Sequence, residues 1–328
     1  MATIRIGMIG TGNMAHTHAQ RLRQVGDAAV VALADPSEAS REKLRQRFGL
    51  ADVAEYGDYT EMLRNETVDA VIICSPHTLH FSQARDALSA GKHVLLEKPM
   101  TCTSSEAEQL IAHAKRAGKL LQVSYQRHCV PQFMYIRSAI AGGAIGRLTS
   151  VNATLYQDWK DAQAGTWRQD PKLSGGGMLM DSGSHIIDVL LWTTGLTPES
   201  VVAQLDCQQS PVEVDSFSAI RFAEGAIGSL NIVGKTNRKC FEESYVFVGE
   251  EGAIFCNNGK IELRRNGEEP VEPVLPAADT DPDRNFVEAI LGRQELLVSG
   301  EYALKVLRLT EAIYEAAGYS PELPAARP

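Results

Sequence analysis

The chain of 328 residues has a formal net charge of −9, with 44% hydrophobic and 22% charged residues, the composition of an ordinary globular protein long enough for about two domains. The acidic balance excludes a general binder of nucleic acid or anionic membrane, whose affinity would rest on clustered Lys and Arg, and leaves a small molecule as the expected partner. No run approaches the roughly 18 apolar residues of a spanning helix, the first residues alternate instead of forming a signal peptide, and the six cysteines are scattered, so the expectation is a cytoplasmic protein with reduced thiols.

From residue 3 to about 124, short apolar runs alternate with longer amphipathic ones. The pattern predicts strands at 4–9, 29–34, 70–74, 93–96 and 120–124, separated by helices at 14–25, 38–48, 79–90 and 105–117. Strands joined by helical crossovers imply a parallel sheet covered on both faces, with ligands at its carboxyl edge. After Ser124 the rhythm changes. A helix at 132–141 leads to a long alternating strand at 148–156, and a buried helix around His185 follows the run Gly175-Gly176-Gly177. Short strands are expected at 201–205, 216–222, 226–232, 245–248, 253–256 and 261–263, with Glu224-Gly225 and Asn258-Gly259 as hairpin turns. A loop at 268–283, helices at 285–291 and 302–317, and a loosely held tail from Ser320 close the chain. The fold class is therefore α/β: a parallel amino-terminal domain (1–124), then a mostly antiparallel α+β domain (125–328).

The first strand runs into Gly10-Thr11-Gly12-Asn13-Met14-Ala15 and then a helix. The first Gly permits a tight turn, the second lets backbone approach a pyrophosphate, and the small Ala15 lets helix pack on strand. Asp35 ends the second strand about 20 residues on, where a carboxylate accepts from the adenosine ribose hydroxyls and repels a 2′-phosphate. Gly10, Gly12, Asn13, Met14 and Asp35 thus form a dinucleotide site that favours NAD over NADP. Arg41 is the nearest downstream cation, and reads better as an exposed helix residue than as a phosphate ligand.

The fourth strand ends in Ser75-Pro76-His77-Thr78-Leu79-His80. His77 and His80 would share a helix face, but two His without a third ligand make a weak metal site, and His16 and His18 would diverge on their helix; no metal is expected. Ser75, Pro76 and His80 are placed with the cofactor at this sheet edge. The fifth strand delivers Glu97-Lys98-Pro99 to the same edge. A Lys at the mouth of a buried strand loses solvation and becomes a usable acid or base, while Glu97 and Lys98, being adjacent, point to opposite faces. Farther on, an α-helix after the Gly run would put Asp181, His185 and Asp188 on one face, a proton-handling group beside carboxylates; a satisfied structural network is the alternative reading.

In this order, Gly-x-Gly-x-x-Ala, Asp35, Ser-Pro, Glu-Lys-Pro and Gly-Gly-Gly-x-x-x-Asp-x-Gly-x-His, the motifs resemble those of the Gfo/Idh/MocA oxidoreductases over nearly the whole chain. The resemblance implies a Rossmann domain and a carboxy-terminal domain on a large open sheet through which such proteins form homodimers or homotetramers. It implies NAD as cofactor and a sugar, inositol or related polyol as substrate. Lys98 matches the Glu-Lys-Pro lysine, and Asp181 and His185 match the family's Asp and His pair, which makes these three the catalytic set. Glu97 resembles a residue that helps hold the nicotinamide ribose. Trp167 and Arg168 resemble a pair near the nicotinamide, and Tyr125, Gln126 and Arg127 fall where relatives line the substrate cleft; polar residues in 158–168 and 236–238 are further candidates. Oxidation of an alcohol needs one acid/base group, Lys98 or His185, with Asp181 orienting the hydroxyl. Asp188 is expected to be a structural partner. The alternatives are an NAD-dependent lyase or glycosidase using transient sugar oxidation, and a non-catalytic NAD- or sugar-sensing regulator.

Overall fold

The computed structural model describes residues 3–64, 67–236 and 240–323. Its first part alternates strand and helix as the periodicity requires: β1 (Ile4–Ile9), α1 (Asn13–Leu22), β2 (Ala28–Ala34), α2 (Glu38–Phe48), β3 (Ala54–Tyr56), α3 (Tyr59–Leu63), β4 (Ala70–Ile73), α4 (His80–Ser89), β5 (His93–Leu96), α5 (Ser104–Ala117) and β6 (Leu121–Val123). Local signals set the helix ends. Ser37 caps α2 by accepting from the Ser40 N–H, and Thr103 caps α5 by accepting from the Glu106 N–H. Both helices stop at a left-handed Gly, Gly49 and Gly118. The sequence reading missed β3 and α3, which are too short to show a period.

The six strands lie in the order β3-β2-β1-β4-β5-β6, all parallel. Chain direction across the sheet reverses between β1 and β4, so the crevice beyond their carboxyl ends is where this topology binds ligands. Ile6, Met8, Val71, Ile72, Val94 and Leu95 are wholly buried, each contributing about 1.5–3 kcal/mol relative to exposure.

The second part comprises α6 (Pro131–Ala141), β7 (Leu148–Gln157), the short helices α7 (Trp159–Ala162) and α8 (Pro171–Ser174), a π turn at Leu179–Gly183, α9 (Ser184–Thr194), and β8 (Pro198–Asp206), β9 (Asp215–Phe222), β10 (Ile227–Val233), β11 (Phe241–Gly249), β12 (Gly252–Asn257) and β13 (Lys260–Arg265). The strands form one sheet, β13-β12-β11-β7-β10-β9-β8, antiparallel except for the pair β7 and β10. Both expected hairpin turns form, with Gly225 and the pair Asn258 and Gly259 at positive φ. Helix α9 packs on α6 and β7, and Ala153, Leu155, Leu230, Ile232, Tyr245 and Phe247 are buried on one face of the sheet.

The chain ends with α10 (Pro282–Ile290) and α11 (Gly300–Ala316). Two compact units result, and they correct the continuous division at 124/125: the first holds residues up to Gln126 together with Thr280–Leu304, the second Arg127–Asp279 and the stretch from Lys305. The cause is apolar. Phe286 and Val287 of α10 are wholly buried in one cluster with Ile4, Ile6, Leu22, Val25, Ile72 and Leu95, so the returning segment completes the first unit's core. Among the described residues no helix is long and apolar enough to cross a membrane.

Candidate active site

The β1-α1 turn has the shape a pyrophosphate needs. Gly10 has φ +82, and a Cβ there would stand 2.8 Å from the main chain of Cys74 and Ser75, so no other residue fits between the ends of β1 and β4. A Cβ at Gly12 would meet nothing within 4 Å. Gly12 is also the N-cap of α1, with no side-chain cap over the first turn, which leaves the N–H groups at Asn13 and Met14 open to an anion. The Thr11 hydroxyl beside them is buried without a hydrogen-bond partner. Asp35 is half-buried and oriented by main chain: Oδ2 accepts from the Thr11 N–H (2.8 Å) and Oδ1 from the Ser37 N–H (2.8 Å). Each oxygen keeps a lone pair for a ribose hydroxyl. Arg41 is committed to the Asp35 carbonyl and to Glu55 (3.1 Å), so it serves this loop internally. The observed groups fit NAD.

At the neighbouring strand ends, His80 is wholly buried, with Nδ1 2.7 Å from the Pro99 carbonyl and Nε2 3.0 Å from the Ser75 carbonyl. Expected as a cofactor ligand, it instead ties the Ser75-Pro76 turn to the Glu97-Lys98-Pro99 turn, since both ring nitrogens face main chain. Ser75 is buried and bonds Gln83 (2.5 Å). Glu97 is 4% exposed, accepts from the Lys98 N–H (3.3 Å) and faces His18 Nε2 at 3.0 Å. Lys98 is half-buried two residues beyond the end of β5, and its peptide to Pro99 is cis. Tyr125, beyond β6, is 1% exposed.

In the second unit the expected polar face is divided. The π turn, closed by Gly183 N–H donating to the Met178 carbonyl at 2.8 Å, changes the residue spacing before α9 begins. Asp181 Oδ2 accepts from Trp159 Nε1 (2.9 Å) and Arg168 Nε (3.0 Å), and the Arg168 guanidinium lies 4.5 Å above the Trp167 ring. His185 is half-buried one turn on. Asp188 is wholly buried and bonds His128 Nε2 (2.8 Å), whose ring stacks on Trp192 at 4.0 Å, a structural pair. Arg127, expected at the substrate, donates to both carboxylate oxygens of Glu243 and, at 2.9 Å, to the Tyr245 hydroxyl; this half-buried fork braces β11. Of the other polar candidates, Asn237 and Arg238 lie outside the described residues.

Glu213, which the sequence reading passed over, organises the Gly run. Its carboxylate is wholly buried and accepts from the Leu179 N–H (3.0 Å) and the Tyr314 hydroxyl (2.8 Å), while its carbonyl accepts from the Met178 N–H (3.0 Å). Burial pushes this carboxyl up to about 7, against the lowering pull of Tyr314 and Leu179. The folded protein binds this proton more tightly than the unfolded chain. Its contribution to stability is therefore full below about pH 4.5, shrinks as pH rises through about 7 and is constant above that. Relative to Glu213→Gln, the parent should lose on the order of 3 kcal/mol between about pH 4.5 and pH 8. Urea unfolding at both ends of that range measures it, and a pH-independent difference between the two proteins would refute the assignment.

Three of the organising residues carried a faint sequence signal. Glu213 sits in Val212-Glu213-Val214, a carboxylate flanked by buried apolar residues. His18 lies on the apolar stripe of α1 with Ala15, Ala19 and Leu22. Trp159 has only its indole N–H to mark it.

Residues 4–125 match the oxidoreductase family model with NAD-binding Rossmann fold designated GFO_IDH_MocA, and residues 133–255 match the GFO/IDH/MocA C-terminal domain. The chain is 24% identical to the D-glucoside 3-dehydrogenase of Escherichia coli, covering 96% of this chain and 95% of that protein. It is 26% identical to the myo-inositol 2-dehydrogenase of Thermotoga maritima, over 78% and 75%. The crystal structure of the WlbA dehydrogenase from Bordetella pertussis in complex with NADH and UDP-GlcNAcA superposes with a TM-score of 0.85 at 27% identity, covering 99% of both chains.

Proposed function

The chain belongs to the Gfo/Idh/MocA oxidoreductases, and from that membership we propose an NAD-dependent dehydrogenase or reductase acting on a hydroxyl or carbonyl carbon of a sugar, inositol or related polyol. The observation that carries the reading is Asp181, an anion held by Trp159 and Arg168 a turn before the half-buried His185, in a chain with an open dinucleotide cradle. Bound NAD supplies the hydride acceptor. Substrate oxidation then needs a base for the hydroxyl proton, and Lys98 and His185 are the two candidates. Asp181 orients the hydroxyl, its own geometry fixed by two donors. Asp35, with Arg41 already committed to Glu55, favours NAD over NADP.

The open face of the second unit's sheet supports self-association. Val202, Phe217, Ile227 and Tyr156 are 73%, 49%, 53% and 38% exposed on it, an apolar surface suited to a homodimer or homotetramer. Six free cysteines suit the cytoplasm.

The test is a matrix of NAD and NADP against cyclitols, aldoses and keto-sugars, following reduced nicotinamide. Net NADH accumulation with a polyol, faster with NAD than NADP, is the expected result. Substrate cleavage without accumulation would replace it with a transient-oxidation lyase or glycosidase, and tight NAD binding without any turnover with a sensor.

A further inference from the structure

Glu97 is one end of a buried chain of charges. His18 is wholly buried, and both its ring nitrogens face carboxylates: Nε2 lies 3.0 Å from Glu97 Oε1, and Nδ1 2.7 Å from Asp283 Oδ1. A neutral imidazole has one N–H, so it would donate to one carboxylate and turn a lone pair on the other. Two buried carboxylates at hydrogen-bond distance therefore select the doubly protonated ring, which donates at both ends. Asp283 also faces Arg21 Nη1 at 3.4 Å, so two anions meet two cations and the cluster is internally compensated.

The surroundings agree. The Cys74 thiol lies against the His18 ring, and Lys98 and Ser124 lie near Glu97. Burial opposes the charge on His18, yet the Asp283 carboxylate outweighs it and holds the His18 pKa well above the usual imidazole range. Burial likewise pushes Glu97 up, but His18 and then Lys98 outweigh it and keep the carboxyl below its ordinary value.

We propose that His18 is a positioning residue: a buried imidazolium, anchored by Asp283, that keeps the Glu97 carboxylate ionised and in one orientation for the cofactor. The proposal rests on reading Glu97 as a ligand of the nicotinamide ribose. It also gives the returning segment a second purpose, because α10 brings Asp283 to the site along with Phe286 and Val287 to the core. The first unit's cofactor site is incomplete without residues 280–304.

Fluorescence titration of NADH into the full chain tests this with Glu97→Gln, His18→Leu, Asp283→Asn and the double variant His18→Leu/Glu97→Gln. Each of the first two should weaken binding by roughly 10-fold, the loss expected for a charged hydrogen bond. The double variant should bind about as the weaker single does, because His18 acts through Glu97. A purely structural His18 would lower thermal stability without changing the affinity of the folded protein. Parental affinity in folded His18→Leu, or additive losses in the double, overturns the proposal alone; parental affinity in Glu97→Gln overturns the reading of Glu97 and the proposal with it. Should His18→Leu fail to fold, Asp283→Asn takes its place in the titration, and nitrogen NMR of His18 in the parent decides the charge. Both ring nitrogens protonated at neutral pH is the expected signature, and a singly protonated ring overturns the proposal.

Discussion

Replacing Lys98 by Met should lower turnover by roughly 10² to 10⁴ while leaving thermal stability close to the parent's. Lys98 stands half-buried at the carboxyl end of β5, and Met keeps its length and apolar stem while removing the ammonium. The loss should therefore fall on chemistry and not on packing. His185→Ala is the companion variant, and the two divide the work of proton transfer by their pH profiles. The variant that has lost the base should lose the limb of kcat/KM that rises with pH, and the other should keep the limb at a lower plateau. Steady-state kinetics of both with the best substrate of the polyol matrix measures this. Near-parental turnover in both variants would refute the assignment of either residue to proton transfer.

Gly177→Ala should be the most damaging single methyl group in the second unit. A Cβ there would stand 1.9 Å from the Glu213 carbonyl oxygen and 2.5 Å from Glu213 Oε2, separations at which main chain has to move. The same carbonyl accepts from the Met178 N–H, and the Gly177 carbonyl accepts from the Asp181 N–H (3.0 Å). A shift that relieves the collision thus breaks the bonds that start the π turn carrying Asp181. The cost should reach or exceed about 3 kcal/mol, the upper range for overpacking a buried site. Thermal unfolding and expression yield report it, with Gly12→Ala as the contrast: that Cβ enters open space, so the fold should survive while NAD binding weakens. A Gly177→Ala protein unfolding at the parent's temperature would show that the close approach to Glu213 is not what this position requires.

Much of the site could be read from residue order. Gly10, Gly12, Asp35, Glu97 and Lys98 lie where strand-turn-helix spacing put them, because each is positioned by an element a few residues away. Residues whose role depends on distant partners were harder to read. His80 faces main chain on two turns, one of them 19 residues away, and Arg127 answers Glu243 across 116 residues; neither partner leaves a trace in the local pattern. A related limit applies to the row Asp181, His185 and Asp188, whose first member lies in a π turn and not in the α-helix that the periodicity implied. A π turn differs from an α turn by one residue, and what holds it here is Glu213, 34 positions downstream of the turn's start.

The parallel βα sheet, the antiparallel sheet, their hairpins and the dinucleotide turn are legible in residue order, since all of these follow from apolar periodicity and from glycines at fixed offsets. Where the first unit ends, which carboxylates are paired and what the Gly run packs against are visible only in the folded chain. Those depend on which buried groups meet across long separations. Phe286 and Val287 return to β1 to bury apolar surface, and Asp283 and Glu97 both meet His18 because a buried carboxylate must find a donor wherever the fold supplies one.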